Sequence, residues 1–133
     1  MRKSVSGLVW VLVFLVIAPA FAHHSPAAFD RTKRVTLEGT VKEFRWQNPH
    51  TWIEVNVPDE KGGTVLWGVE LTSPTYLIRA GWKSNTIKAG DKVTVVVNPV
   101  RTGEPAGIFV SLTLADGRVL TERPARLGTP ESK

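Results

Sequence analysis

The chain has 133 residues, no cysteine, and a formal net charge of +5 from 17 basic and 12 acidic residues. That length suits one domain, and the missing thiols exclude disulfides, thiolate metal sites and cysteine nucleophiles. The charges are mixed with no long run of one sign, so no nucleic-acid partner is expected.

The first segment has the layout of a secretory signal. Arg2 and Lys3 supply a positive end, Leu8 to Ala18 is an unbroken apolar run, Pro19 breaks it, and Ala20-Phe21-Ala22 is a small-x-small cleavage site. The run falls short of the about 20 apolar residues that span a bilayer, so no stable membrane anchor is expected after cleavage. Cleavage after Ala22 leaves 111 residues of the 133, starting at His23, and lowers the net charge from +5 to +3 with the loss of Arg2 and Lys3. The expected layout is a signal peptide at 1–22, an irregular arm at 23–33, a barrel domain at 34–122 and a disordered polar tail at 123–133, in a periplasmic protein.

The mature segment alternates with a period of two, broken at intervals by turn residues, which is a strand signature. Val35, Leu37, Gly39 and Val41 share one face of a first strand starting near Arg34. The phase then flips to Phe44 and Trp46, as a β-bulge in a long bent strand would produce. Gln47-Asn48-Pro49 is a turn. A second strand over 51–57 points Ile53, Val55 and Val57 one way and Trp52, Glu54 and Asn56 the other. After a polar hairpin loop at 58–63, a third strand over 64–71 places Val65, Trp67, Val69 and Leu71 on one face. Ser73-Pro74 reads as a capping hydroxyl followed by proline at the first helical position, opening a short helix that Gly81 stops. A fourth strand carries Val93, Val95 and Val97 inward. A loop at 98–107 leads to a fifth strand with Ile108, Val110, Leu112 and Leu114 on one face, and Asp116-Gly117 turns the chain into a final short strand at Val119 and Leu120.

A long first strand, and a short helix between strands three and four, define an all-β protein: an OB-like five-stranded Greek-key barrel preceded by a signal peptide. An open β-sandwich is the alternative.

Several strings act together as a signature: His23-His24-Ser25, Thr36-Leu37-Glu38-Gly39-Thr40-Val41, Trp46-Gln47-Asn48-Pro49-His50-Thr51-Trp52-Ile53, Trp67 and Glu70 ahead of Ser73-Pro74, Arg79-Ala80-Gly81-Trp82, Gly90-Asp91-Lys92-Val93-Thr94-Val95, and Asp116-Gly117-Arg118. From His23 to about Leu120 the chain resembles the bacterial exported family catalogued as domain of unknown function 6152. The resemblance implies a periplasmic protein and supplies no activity.

Chemistry must therefore be read from the residues. All three histidines survive cleavage: His23 and His24 at the new N-terminus, His50 at the start of the second strand. The α-amine and imidazole of His23 can chelate one ion, His24 adds an imidazole, and nitrogen-rich sets suit Cu(II). A copper or other divalent-metal site on His23, His24 and His50 is one expectation. Taken singly, His50 also reads as a locally bonded turn residue, and His23-His24 as a disordered start. The other expectation is a non-enzymatic binding module, its ligand a small molecule or an envelope protein. It would use the barrel face around Trp52 and the 98–107 loop, with Trp46 and Trp52 as stacking surfaces and Glu54 and Glu70 on the outward phase of neighbouring strands. Trp67 reads as core and Trp82 as a plug at the barrel end. No nucleophile motif or Gly-rich phosphate loop is present, and an enzyme is the least supported class.

Overall fold

The computed structural model describes residues 26–123. The signal segment, His23, His24 and most of the polar tail lie outside the described residues. The strands are β1 (Val35–Arg45), β2 (Trp52–Pro58), β3 (Thr64–Glu70), β4 (Lys92–Pro99), β5 (Ala106–Leu114) and β6 (Val119–Leu120), and the helix is α1 (Pro74–Arg79). β1 pairs antiparallel with both β2 and β4, β2 with β3, and β4 with β5. A parallel pairing of Gly68, Val69 and Glu70 with Ala106, Gly107 and Ile108 closes the ring. The result is a five-stranded barrel with β6 added beside β5.

β1 serves two partners because it coils. Val35 to Thr40 pair with β4, and Thr40 to Arg45 with β2. Gly39 sits where the change of partner occurs. A side chain there would run into the Asn56 carbonyl and reach 2.9 Å from Val55 Cγ1, so the strand can cross β2 closely only without a Cβ. A register shift between Val41 and Glu43 makes Lys42 the extra residue. That bulge is the phase flip visible in the sequence, and it turns Phe44 back towards the core.

β5 corrects the sequence expectation. Val96 pairs with Ser111 and Val97 with Phe109, so Val110 is the extra residue of a second bulge. Before the bulge the inward positions are Gly107 and Phe109, both buried, while Ile108 and Val110 are only half-buried. After it, Leu112 is fully buried and Leu114 packs against the core as expected. The loop is also shorter than 98–107, because the ladder takes in Asn98, Pro99, Ala106 and Gly107.

Inside the ring, Leu37, Val41, Ile53, Val55, Val69, Val95, Val97 and Leu112 are buried, with Leu71, Leu77, Trp82 and Ile87 in the same cluster. Trp67 is half-buried and packs against that cluster. Six residues of helix are too few to persist by propensity. α1 is held by tertiary contact, since Pro74 and Leu77 are buried. The expected hydroxyl cap is absent: Ser73 occupies the N-cap with no side-chain hydrogen bond, and its carbonyl accepts from Tyr76 and Leu77 instead. With proline at N1, one of the four unpartnered amides of a first helical turn is already gone.

Trp82 plugs the barrel as its position suggests. It is 1% exposed, meets Phe109 edge-on at 5.6 Å, and donates its indole N–H to the Thr121 carbonyl at 2.8 Å. Trp82→Phe should keep an aromatic plug but lose that hydrogen bond and some volume, costing about 2 kcal/mol. Denaturant unfolding followed by circular dichroism checks this.

The described part of the N-terminal arm is not irregular. Pro26–Ala28 form a 3-10 turn, and Phe29 is buried in a bridge to Val100. Asp30 N–H donates to the Pro99 carbonyl at 2.8 Å, and Arg101 N–H to that of Ala28 at 2.9 Å. Phe29 supplies the apolar anchor that the run of polar residues after it lacks.

Candidate binding face and the histidine–carboxylate cluster

Alternation along β2 and β3 sends Ile53, Val55 and Val69 into the core and leaves Trp52, Glu54, Gly68 and Glu70 on the outer surface. The register places Trp52 opposite Glu70 and Glu54 opposite Gly68. On the other side of β2, the bulge in β1 sets Arg45 opposite Trp52 and Glu43 opposite Glu54. A row therefore crosses four strands as Arg45, Trp52, Glu70 and Ile108. Trp52 is half-buried in its middle, and Gly68 leaves open space where a side chain would stand.

The acidic side of the face is largely compensated. Glu54 Oε1 accepts from Arg45 Nη1 at 3.0 Å, and its Oε2 lies 3.3 Å from Lys42 Nζ. Arg45 Nη1 is also 3.6 Å from Glu43 Oε2. Partly exposed pairs of this kind contribute up to about 1 kcal/mol each. Arg45 Nε is different: it is buried and has no hydrogen-bond partner among the described residues. A buried donor left unsatisfied costs roughly 1–3 kcal/mol.

At the upper end of the face, Glu70 is 8% exposed rather than solvated. His50 Nδ1 lies 2.8 Å from Glu70 Oε1 and 3.1 Å from the Leu71 carbonyl oxygen. The preceding turn, which contains a cis Asn48–Pro49 bond, delivers the ring there. Glu122 reaches the same place from beyond β6, where its Oε1 accepts the Thr72 N–H at 2.5 Å. Burial pushes the Glu122 carboxyl up from the ordinary glutamate range; the Thr72 N–H and His50 oppose that rise, and the Glu70 charge adds to it.

Trp52, Glu54 and Glu70 thus share one surface with His50 at its end. Trp46 does not join them. It is half-buried, meets Phe44 edge-on at 5.6 Å, and lines a groove of about 360 Å³ with Ile78, Gly81, Trp82, Lys83 and Ser84. Its bulge-shifted phase points it to the barrel end. Arg45, Thr72 and Glu122 belong to the site and escape a reading of the sequence. Arg45 looks like any outward cation, and Glu122 is 50 residues from the amide it contacts.

His23 and His24 lie outside the described residues. Among the described residues no group of three or more His, Cys, Asp or Glu side chains could hold a metal ion. His50 turns one ring nitrogen towards a carboxylate and a carbonyl.

The fold and this surface define a small closed-barrel protein with a polar–aromatic face on its second and third strands. The chain belongs to the DUF6152 family, a family of unknown function whose model matches residues 12–109. No curated protein matches it in sequence.

Proposed function

We propose that the protein is an exported periplasmic binding module that takes a small molecule or an envelope-protein segment on the outer face of β2 and β3. One observation carries this reading: the row Arg45–Trp52–Glu70 leaves an aromatic surface half-open beside an empty position at Gly68. This is the face and loop region that barrels of this topology use for ligands. Stacking on Trp52 supplies apolar contact, and an acceptor on the ligand would pair with the part-exposed Arg45 guanidinium. Native mass spectrometry of protein purified from the periplasm tests the reading. The mature mass should begin at His23, and a bound adduct should be present in the native chain and lost in Trp52→Ala. A chain that carries no adduct, or one that Trp52→Ala retains in full, contradicts it.

A second reading, Cu(II) binding by the mature N-terminus with His50, is supported by the docked arm. Ala27 accepts from Arg101 Nε at 3.1 Å, so the four residues back to His23 can reach about 13 Å at about 3.3 Å each. From Val100 across Ala106 and Gly68 to β2 is three strand spacings, about 14 Å. The arm's reach thus extends across β5 and β3 towards β2, the strand that His50 precedes. Cu(II) titration should then give tight binding in the native chain, and weaker binding when an extra N-terminal Gly moves the amine from His23 or when His50→Ala removes the third imidazole. Equal affinity in all three rules the coupled site out.

A further inference from the structure

The barrel end that carries α1 differs from the rest of the surface in both polarity and charge. Among the described residues four large apolar side chains are exposed, and two of them, Tyr76 at 59% and Ile78 at 60%, belong to the six residues of α1. Pro74 and Leu77 take the buried side of that helix. At about 100° per residue, the remaining arc runs through Ile78, Thr75, Arg79 and Tyr76, all of them exposed. Ile78 is also one wall of the groove that Trp46, Gly81, Lys83 and Ser84 complete beside the buried Trp82. The Arg79 guanidinium lies 5.8 Å from the centre of the Tyr76 ring.

The charge at this end has one sign. From Leu71 to Gly90 the sequence holds Arg79, Lys83 and Lys88 and no carboxylate. Lys88 pairs with Asp91 at 3.3 Å. Arg79 and Lys83 are exposed and make no ion pair among the described residues. Glu122, which reaches Thr72 just before α1, is half-buried against that amide.

We propose that α1 and the 81–84 turn, with Trp46 beside them, dock reversibly on an anionic lipid surface. The chemistry selects that occupant. Anionic headgroups complement the two unpaired cations, whose aliphatic stems can lie along apolar surface while the charges stay in the headgroup layer. Tyr76 and Trp46 join an apolar ring to a polar tip, which suits that layer, and Ile78 supplies a purely apolar contact at the acyl boundary. Six residues of helix span about 9 Å at about 1.5 Å each, so α1 lies in the interface and does not cross it. A second copy of the chain would set Arg79 and Lys83 against like charges, which disfavours self-association here. A helical arc also offers an incoming peptide no strand edge to pair with. Contiguous exposed apolar surface of this kind marks interaction sites. Trp52, Glu54 and Glu70 do not line this groove, so the lipid contact and the ligand reading succeed or fail separately.

The test is co-sedimentation of the mature chain with phosphatidylcholine vesicles, with and without phosphatidylglycerol, at physiological ionic strength. The chain should bind the vesicles that contain phosphatidylglycerol and stay in solution with phosphatidylcholine alone. Arg79→Gln combined with Lys83→Gln should weaken binding about twenty-fold, from about five-fold for each cation. Ile78→Ser should weaken it at least about ten-fold. Lys61→Gln combined with Lys92→Gln removes the same charge from the other end of the barrel, where both side chains are exposed, and should leave binding within about two-fold. Circular dichroism of each variant checks that the strands are retained. Absence of binding to phosphatidylglycerol vesicles, the result expected if this end serves an acidic protein instead, overturns the proposal. So do equal losses in the two charge pairs, or undiminished binding by Ile78→Ser.

Discussion

Val55→Asp should cost more than about 4 kcal/mol and leave little cooperative fold at room temperature. Val55 is fully buried on the inward face of β2, between strands that surround it with Leu37, Val41, Val69 and Val95. A carboxylate there has no partner and no water. It must either ionise in an apolar medium or fold as the neutral acid, and both are costly. Thr36→Asp is the control. Thr36 lies one residue from buried Leu37 on the opposite face and is exposed, so its replacement should change stability by under about 1 kcal/mol. Thermal and denaturant unfolding of the two variants measure the contrast. Equal losses would mean that the inward and outward phases have been assigned wrongly.

Gly39→Ala should destabilise by about 3 kcal/mol although it adds a single methyl group. The obstacle is the Asn56 backbone carbonyl, which cannot rotate away as a side-chain tip would, together with Val55 Cγ1 at 2.9 Å. Relief requires β1 and β2 to separate where β1 changes partner, which loosens two ladders at once. Gly68→Ala makes the comparison informative. A methyl at Gly68 meets nothing within 4 Å, so that variant should be neutral to within about 0.5 kcal/mol. Chemical unfolding distinguishes strain at Gly39 from any general cost of filling a glycine in this barrel.

The two bulges show what the sequence does and does not reveal. In β1 the apolar letters themselves change phase, from Leu37 and Val41 to Phe44, so the extra residue is legible. In β5 they do not. Ile108, Val110, Leu112 and Leu114 alternate without a break, and Phe109 looks like a lone outward aromatic. Register with β4 decides the matter, because Val97 pairs with Phe109 and Val96 with Ser111. An apolar outer position carries no mark distinguishing it from an inner one when both faces tolerate it. The arm is similar: one buried residue, Phe29, fixes it, and a single aromatic has no periodicity to read.

The candidate site was legible where it depends on strand phase and illegible where it depends on the third dimension. Trp52, Glu54 and Glu70 fall on one surface because alternation and adjacency place them there. Trp46 leaves that surface because the β1 bulge resets its direction. Glu70 is buried with the His50 ring at 2.8 Å, and Glu122 reaches the Thr72 amide across 50 residues of chain, contacts that no local pattern encodes.

The most direct measurement is the native mass spectrum of the periplasmic protein, compared between the full mature chain and a chain lacking residues 23–27. A ligand held on the face around Trp52 should appear with the same mass in both, since no residue of that face lies in the deleted segment. An adduct of the mass of copper that disappears with His23 and His24 would contradict the barrel-face account and leave metal binding at the N-terminus in its place.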